Sequence, residues 1–134
     1  MTVHEQIALF LSSEKFGVAG ASADRSKFGN KVLRCYQQNG KSAIPINPKE
    51  KSIEGAACVS SVAELPPEVK SLSVITPPAI TESVVRDAIT AGINNIWMQP
   101  GAASNNAVEL CKSAGINVIA DGSCVLVVLG YHDH

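Results

Sequence analysis

The sequence predicts the α/β class, with a parallel sheet of five strands and helices on both of its faces. Short apolar runs alternate with segments of helical period along the chain, and this alternation is typical of parallel sheets. No linker, internal repeat or low-complexity stretch interrupts it. The chain has 134 residues, of which 46% are hydrophobic. We therefore expect one domain over residues 1–134 that buries a core without a disulfide or a metal.

The first predicted element is a helix over residues 2–12. Thr2 and Glu5 have the spacing of a capping box. Apolar residues follow at helical spacing, namely Val3, Ile7, Phe10 and Leu11. We expect this helix to cover one end of the sheet.

Five apolar runs predict the strands, at residues 15–20, 42–46, 71–75, 95–98 and 116–120. Helices are predicted at residues 29–39 and 81–91, and from a cap at Ser104 to Gly115. Residues 47–57 are expected to form a loop, and one helical turn is expected before Pro66. Tyr36 and Trp97 are predicted to lie in the core. The pattern fits a Rossmann-like domain, for which we expect the strand order 3-2-1-4-5.

The C-terminal segment allows several interpretations. Residues 124–129 are apolar and fit a short edge strand or the start of a packed or flexible tail over residues 124–134. If the run from Val125 to Leu129 is exposed, it could form the edge of a homodimer. His132 and His134 could pair on an adventitious metal ion, but no spacing in the sequence predicts a metal site.

Several protein classes are excluded by what the sequence lacks. No apolar run reaches the roughly 18 residues that a membrane span needs, and the first eleven residues have no basic cluster typical of a targeting peptide. The cysteines are scattered without a CxxC pair, at Cys35, Cys58, Cys111 and Cys124. Free thiols of this kind indicate a reducing compartment, which we expect to be the cytoplasm.

Positive charge is concentrated in one segment, although the net charge is only −1. Residues 21–51 contain two acids, Asp24 and Glu50, and seven bases. A local basic segment in an otherwise acidic chain fits a small polyanion better than nucleic acid, which usually binds a broadly basic face. The bases are Arg25, Lys27, Lys31, Arg34, Lys41, Lys49 and Lys51.

The loop after the first predicted strand is the strongest candidate site. It contains Gly20, Ala21 and Ser22, then Arg25 and Lys27, and it leads into a predicted helix. Glycines in that context let a ligand approach the backbone, and free N–H groups at a helix start favour phosphate. The spacing is GxxGxS rather than GxGxxG, so a purely structural turn remains the alternative. Asp24 is expected to be a solvated loop residue or to form an Asx turn in this loop.

Other candidates follow the later strands, where α/β sheets bind ligands. Asn47, Pro48 and Lys49 stand where a nicotinamide enzyme would carry an acidic residue for the ribose. That triplet fits a phosphorylated ribose or another anion, or simply begins a turn. The third strand is followed by residues 76–78 (Thr-Pro-Pro) and the fourth by residues 99–101 (Gln-Pro-Gly), each of which could instead be only a strand-to-helix turn.

These motifs together resemble the CoA-binding domain family, the free-standing relative of the N-terminal domain of the succinyl-CoA synthetase α subunit. The resemblance rests on VAGAS at 18–22, the basic loop through Lys27, IPINPK at 44–49, ITPP at 75–78 and WMQPG at 97–101. It covers residues 15–121 with five motifs in the same order. It implies CoA or an acyl-CoA as the ligand, and a catalytic partner protein or a homodimer as possible protein partners.

The resemblance also implies roles for individual residues. Gly20, Ala21 and Ser22 would cradle the CoA phosphates, with neutralisation by Lys27 or Arg25. The remaining residues would line the adenosine end (Asn47, Pro48, Lys49), border the adenine or pantetheine (Ile75, Thr76, Pro77, Pro78) and face the pantetheine arm (Gln99). Family members often close with Asp-x-Cys, whereas here Asp121 and Cys124 are separated by two residues.

The sequence does not predict catalysis by this chain alone. No serine, histidine and acid form a catalytic set, and the histidines lie at the two ends of the chain. We therefore expect a CoA carrier, sensor or partner subunit. The alternatives are an NADP-dependent oxidoreductase and an interaction module with a vestigial nucleotide site. A further hypothesis is that Cys124 forms a reversible mixed disulfide with CoA, and the alternative is that this cysteine is inert.

Overall fold

The computed structural model describes residues 1–133 and contains the parallel sheet that the sequence predicts. Its strands are β1 (Lys15–Ala19), β2 (Ser42–Ile46), β5 (Ser71–Val74), β6 (Asn95–Met98) and β7 (Asn117–Ile119), with a small hairpin of β3 (Ser52–Ile53) and β4 (Ala56–Ala57). The helices are α1 (Val3–Leu11), α2 (Phe28–Gln38), α3 (Pro78–Ala91), α4 (Asn105–Ser113) and α5 (Val125–Leu129). A single 3₁₀ turn spans Val62–Glu64.

The strand order is β2-β1-β5-β6-β7, with all neighbours parallel. The predicted order 3-2-1-4-5 is wrong, because the third main strand, β5, pairs with β1 rather than with β2. Proline within a strand favours the edge of a sheet, and Pro45 lies in β2, which is an edge strand. The outer side of β2 makes one isolated parallel bridge, in which the Val59 N–H donates to the Pro45 carbonyl at 3.0 Å and the Asn47 N–H donates to the Val59 carbonyl at 2.9 Å. All four residues of β5 are buried, as a central strand requires.

Helices cover both faces of the sheet, as predicted. From β1 the chain moves to one side of the sheet, and from β5 onward it moves to the other, so right-handed crossovers place the connecting helices on opposite faces. Helices α1, α2 and α5 pack on one face around Phe10, Phe16, Tyr36 and Trp97, which confirms that Tyr36 and Trp97 are core residues. Helices α3 and α4 pack on the other face, together with the 3₁₀ turn.

Local sequence determines most of the element boundaries. The Thr2–Glu5 capping box begins α1, and the Ser104 hydroxyl caps α4 by accepting from the Ala107 N–H at 3.0 Å. Helix α3 begins at Pro78, three residues before the predicted start, because proline has a helical φ and lacks only an N–H that the first turn does not use.

Two segments differ from the expectation. Residues 125–129 form helix α5, so the edge-strand interpretation is wrong. The predicted loop over residues 47–57 contains the hairpin of β3 and β4. The proposed histidine pair includes His134, which lies outside the described residues. Across residues 1–133, no helix has both the length and the apolar character that crossing a membrane requires.

Candidate functional site

The carboxyl ends of β1 and β5 form the point where the chain reverses its direction across the sheet. The Ile75 N–H donates to the Ala19 carbonyl at 2.9 Å, so the two strand ends stay paired. Gly20 has φ +93°, and a Cβ there would lie 3.0 Å from the Ile75 carbonyl carbon. Open α/β sheets bind ligands at such a reversal point. The loops on either side therefore border a natural crevice.

The loop after β1 folds tightly onto the start of α2. A Cβ on Gly29 would lie only 1.9 Å from the Gly20 carbonyl oxygen, so the helix can approach this closely only because residue 29 is glycine. No side chain caps α2, since Lys27 occupies the N-cap position without a side-chain hydrogen bond. The first turn of α2 consequently presents backbone N–H groups towards the loop side of the sheet.

Hydrogen bonds inside this loop shape residues 22–26. The Asp24 carboxylate accepts from the Ser26 N–H at 2.9 Å and from the Ser26 hydroxyl at 2.7 Å, and these bonds lower the pKa of Asp24. The Asp24 N–H donates to the Ser22 hydroxyl at 3.1 Å. The expected Asx turn at Asp24 is thus confirmed.

Two clefts open at this edge of the sheet and share Thr76. The first has a volume of about 410 Å³ and is mainly apolar. The second has a volume of about 300 Å³ and lies beside the glycine loop and the end of β2. The first is lined by Phe28, Ile75, Thr76, Pro77, Gln99, Pro100, Gly101, Ala102 and Cys124. The second is lined by Ala19, Gly20, Ala21, Ile46, Asn47, Pro48, Ser60, Ser61, Val62, Thr76, Ile80, Val84 and Asp87.

The structure brings most of the sequence-predicted site residues to these clefts. Gly20, Ala21, Asn47 and Pro48 line the second cleft, and Thr76 lines both. Ile75, Pro77 and Gln99 line the first. The other candidates lie on the flanking loops or at the start of α3 and line neither cleft, namely Ser22, Arg25, Lys27, Lys49 and Pro78.

The basic segment is only partly directed at the site. Arg34 is 5% exposed and lies inside the protein. Lys41 precedes β2 and so lies at the amino ends of the strands, away from the clefts. Arg25 forms an ion pair with Glu54, with 3.4 Å between Nε and Oε2. Glu54 has φ +49° at the tip of the β3–β4 hairpin, and the charge count of residues 21–51 did not include it. The positive charge available to an anion is therefore smaller than that count implies.

Asn47 connects the end of β2 to the glycine loop. Its Nδ2 donates to the Ala21 carbonyl at 3.0 Å. Its Oδ1 accepts from the N–H groups of Lys49 and Glu50 at 2.8 and 3.0 Å. Asn47 therefore begins the turn and also holds the glycine loop beside it.

Gln99 lines the first cleft while its polar atoms bind within the protein. It is 3% exposed. Its Oε1 accepts from the Val125 N–H at 2.8 Å, and its Nε2 donates to the Cys124 Sγ at 3.2 Å. The Trp97 indole donates to the Ser123 carbonyl at 2.9 Å. Gln99 and Trp97 thus fix the turn before α5 and set Cys124 in the cleft wall.

Several residues that line the clefts were not predicted from the sequence. Phe28 is 59% exposed and forms part of the first cleft. The sequence signal for its position is an aromatic residue at the point where a candidate ligand-binding loop meets a helix. Ser60 and Ser61 reach the second cleft because the segment after β2 crosses the sheet to reach β5. Asp87 reaches the same cleft from α3, and this position follows only from the three-dimensional fold.

Comparison with known proteins identifies relatives of this chain. It matches the family described as CoA binding domain over residues 14–130. It is 24% identical over 127 residues to the α subunit of an ADP-forming acetate–CoA ligase II from Pyrococcus furiosus. That match covers 87% of this chain but only 28% of the ligase subunit. The chain is 25% identical over 109 residues to an uncharacterized protein from Bacillus subtilis, covering 81% of each.

Solved structures show the same fold. A conserved hypothetical protein from Pyrococcus furiosus matches with a TM-score of 0.82 and 34% identity, covering 86% of this chain and 98% of that one. A dinucleotide-forming acetyl-coenzyme A synthetase from Ca. Korarchaeum cryptofilum, in complex with phosphate and ADP, matches with a TM-score of 0.73 and 25% identity. That match covers 81% of this chain and 26% of the synthetase. The family match and the fold agree, and the chain belongs to the CoA-binding domain family.

Proposed function

We propose that this chain binds CoA or an acyl-CoA across both clefts and acts as a cytoplasmic carrier, sensor or partner subunit without catalysis of its own. The observation that supports it best is the pair of unlike clefts that meet at Thr76, where the strand order reverses. CoA has a polar, phosphorylated nucleotide end and a largely apolar pantetheine arm. One ligand of that kind fits an apolar cleft joined to a second one whose lining adds the polar side chains of Asn47, Ser60 and Ser61.

The second cleft and its loops are assigned to the nucleotide end. Gly20 and Ala21 offer backbone close to the cleft, with Ser22, Arg25 and Lys27 on the flanking loop for the phosphates. Asn47, Pro48 and Lys49 border the adenosine.

The first cleft is assigned to the pantetheine arm. Ile75, Thr76 and Pro77 line this cleft and Pro78 follows at the start of α3, so these four residues would border the adenine or the pantetheine, with Gln99 beside the arm. Phe28 adds apolar surface at the mouth of this cleft. The ionisable side chains that line the two clefts are Asp87 and Cys124, so neither cleft lining supplies a nucleophile with a base beside it. Incubation with acetyl-CoA, ADP and phosphate should accordingly leave the thioester intact.

Calorimetric titration of the reduced protein with CoA, dephospho-CoA, NAD and NADP tests the proposal. We expect CoA to bind, and binding to weaken without the 3′-phosphate because a charge-assisted contact is worth about 1.5–3 kcal/mol. Replacing Arg25 and Lys27 together with alanine should weaken CoA binding. The matched control replaces Lys41 and Lys70, which lie at the amino ends of the strands, and should leave binding unchanged.

The apolar cleft is tested separately with Phe28→Ala. Phe28 is mainly exposed, so its truncation should weaken CoA binding with little loss of stability. Leu9→Ala is the control, because Leu9 is also exposed and lies near the amino ends of β6 and β7. Equal affinities for these two variants would remove the first cleft from the site.

Cys124 carries a further part of the proposal. It lines the first cleft and accepts a hydrogen bond from Gln99. The Cys124 thiolate would attack CoA disulfide, forming a protein–CoA disulfide and releasing one CoA thiolate. Mass spectrometry should show one added CoA unit in the parent chain and none in Cys124→Ser. An equal mass increase in both would contradict this role.

Two other functions are outcomes of the same titration. A response to NADP without one to CoA would favour the oxidoreductase. The structure gives this alternative no further support, because Asn47 stands where a nicotinamide enzyme would carry an acidic residue and its side-chain amide already binds backbone groups of the protein. No response to any nucleotide, with stoichiometric capture of one protein, would favour the interaction module. A homodimer through α5, where Val127 and Val128 are exposed, would show as a doubled mass in sedimentation.

A further inference from the structure

Two buried side chains of α2 hold backbone carbonyls of the glycine loop. Asn30 is fully buried, and its Nδ2 donates to the Ser22 carbonyl at 2.9 Å. Arg34, one turn later, is 5% exposed. Its Nε donates to the Asn30 Oδ1 at 2.6 Å, and its Nη2 donates to the Arg25 carbonyl at 3.0 Å. Asn30 and Arg34 therefore determine which way two peptide groups of the loop face.

The orientation of these carbonyls determines where the next N–H groups point. In a trans peptide the C=O and the following N–H lie on opposite sides. Asn47 binds the Ala21 carbonyl and Asn30 binds the Ser22 carbonyl, so the N–H groups of Ser22 and Ala23 are turned away from those partners. Within residues 1–133 neither N–H donates to a protein acceptor. Both remain available to an anionic oxygen.

Arg34 also connects this loop to the C-terminal segment. Its Nη1 lies 3.4 Å from the Asp133 Oδ1, and its guanidinium lies 5.3 Å from the centre of the Tyr131 ring. The Tyr131 hydroxyl donates to the same Asp133 oxygen at 2.9 Å. The His132 N–H donates to the Gln38 Oε1 at 3.0 Å. Residues 131–133 are thus fastened along α2, with a carboxylate directed at Arg34.

We propose that residues 131–133 form a latch that acts through Arg34 to hold the phosphate-binding amides of the glycine loop in place. Arg34 is a positioning residue, because it contacts Asn30, the Arg25 carbonyl and the latch and lines neither cleft. A buried guanidinium needs hydrogen-bond partners and a counter-charge to keep a fixed position, and Asp133 supplies a carboxylate. The latch rests on the proposed function, since it predicts an effect on CoA affinity.

Asp133→Asn is the principal test, because Asp133 is 68% exposed and its replacement should not prevent folding. We expect the Kd for CoA to rise about threefold, a change within the roughly 0–1 kcal/mol typical of exposed ion pairs. Asp133→Glu should restore the affinity. Glu109→Gln removes an exposed carboxylate on α4 and serves as the matched control. Arg34→Met should raise the Kd about tenfold or more, because it removes several donors.

Amide spectra of the ligand-free protein provide a readout that does not depend on CoA. Asp133→Asn should shift the ¹⁵N–¹H resonances of Ser22 and Ala23, whereas Glu109→Gln should leave them unchanged. Unshifted loop resonances, or equal CoA affinities for Asp133→Asn and Glu109→Gln, would overturn the latch. Shifted resonances in a protein that binds no CoA would instead overturn the proposed function and leave the latch standing as a structural coupling.

Discussion

Two glycines allow the backbone segments of the site to touch. Gly20 lies against Ile75, where a Cβ would be tightly packed at 3.0 Å, and Gly29 lies against Gly20, where a Cβ would overlap the carbonyl oxygen at 1.9 Å. The sequence indicated a glycine loop that opens a helix, and the structure supports that interpretation. The sequence could not indicate that Gly29 is needed for the packing of α2 against the loop. A Cβ at residue 29 would lie 1.9 Å from the Gly20 carbonyl oxygen only because of where the helix begins.

Gly29→Ala should therefore destabilise the protein strongly. The added methyl would overlap the Gly20 carbonyl oxygen, and overpacking of this kind costs about 1–3 kcal/mol or more. Gly40→Ala is the control for backbone strain, since Gly40 has φ +69° but open space around its Cβ position. Urea unfolding should show the larger loss for Gly29→Ala. Equal losses would mean that the close contact between Gly29 and Gly20 has no energetic importance.

The carboxylate of Glu54 lies beside Arg25, which is a candidate phosphate-binding residue. Its Oε2 lies 3.4 Å from the Arg25 Nε and accepts from the Asn30 Nδ2 at 3.1 Å. A phosphate that approached Arg25 would compete with this carboxylate.

Glu54→Gln should therefore tighten CoA binding about two- to fivefold, because the amide oxygen keeps the bond from Asn30 while the competing charge is removed. Glu68→Gln, which removes the partner of Lys15 near the start of β1, is the matched control in calorimetry. Weaker binding of Glu54→Gln than of the control would show that Glu54 supports the ligand rather than opposing it.

At the scale of elements, local signals predicted most of the helices and strands. The Thr2 and Ser104 caps begin α1 and α4, and β6 lies at the predicted residues. Helix α5 was not predictable in the same way, because a run of five apolar residues has no polar positions to reveal its period. Its conformation depends on tertiary contacts, among them the hydrogen bond from the Val125 N–H to Gln99.

Ser104→Ala should lower the free energy of unfolding by about 1 kcal/mol, the usual cost of losing an N-cap. The variant loses the capping bond from the Ala107 N–H at 3.0 Å and the longer bond from the Ser104 hydroxyl to the Glu82 Oε1 at 3.4 Å. Ser113→Ala, at the exposed end of the same helix, should change stability little. The two variants are to be compared by chemical denaturation, and indistinguishable unfolding midpoints would contradict the capping argument.

At the scale of the whole molecule, topology decides which residues meet. The strands and the glycine loop that leads into α2 could be predicted from the chain, but the strand order could not be obtained from periodicity alone. Pro45 is a sequence signal for the position of β2, since proline within a strand favours the edge of a sheet and β2 is an edge strand. Because β5 then lies beside β1, Thr76 comes to border both clefts. Phe28 and Ser60 join the site for the same reason, and neither belongs to a recognisable motif.

The two cores on opposite faces of the sheet each enclose a thiol that resists ionisation. Burial raises the pKa of Cys35 and of Cys111 from the ordinary 9.0 to about 11. Between these values the unfolded chain loses thiol protons that the folded protein keeps. Stability should therefore fall as the pH rises from about 9 to about 11.

Unfolding measured from pH 8 to pH 11 tests this expectation. Cys111→Ala should show a shallower fall than the parent chain, because one buried thiol no longer titrates. Comparing the slopes cancels the contribution of lysines, which are present in both proteins. Identical slopes would mean that the Cys111 thiol does not contribute to the alkaline loss.

We propose that CoA lies along the carboxyl ends of the strands, across both clefts. Titration of ¹⁵N-labelled protein with CoA can locate the ligand residue by residue. We predict shifts in the amide resonances of residues 20–23, 47, 75–76, 99, 101–102 and 124, with unchanged resonances at the amino ends of the strands, such as those of Asn94 and Gly115. Shifts confined to the amino ends of the strands, or no shifts with CoA present in excess, would contradict the account.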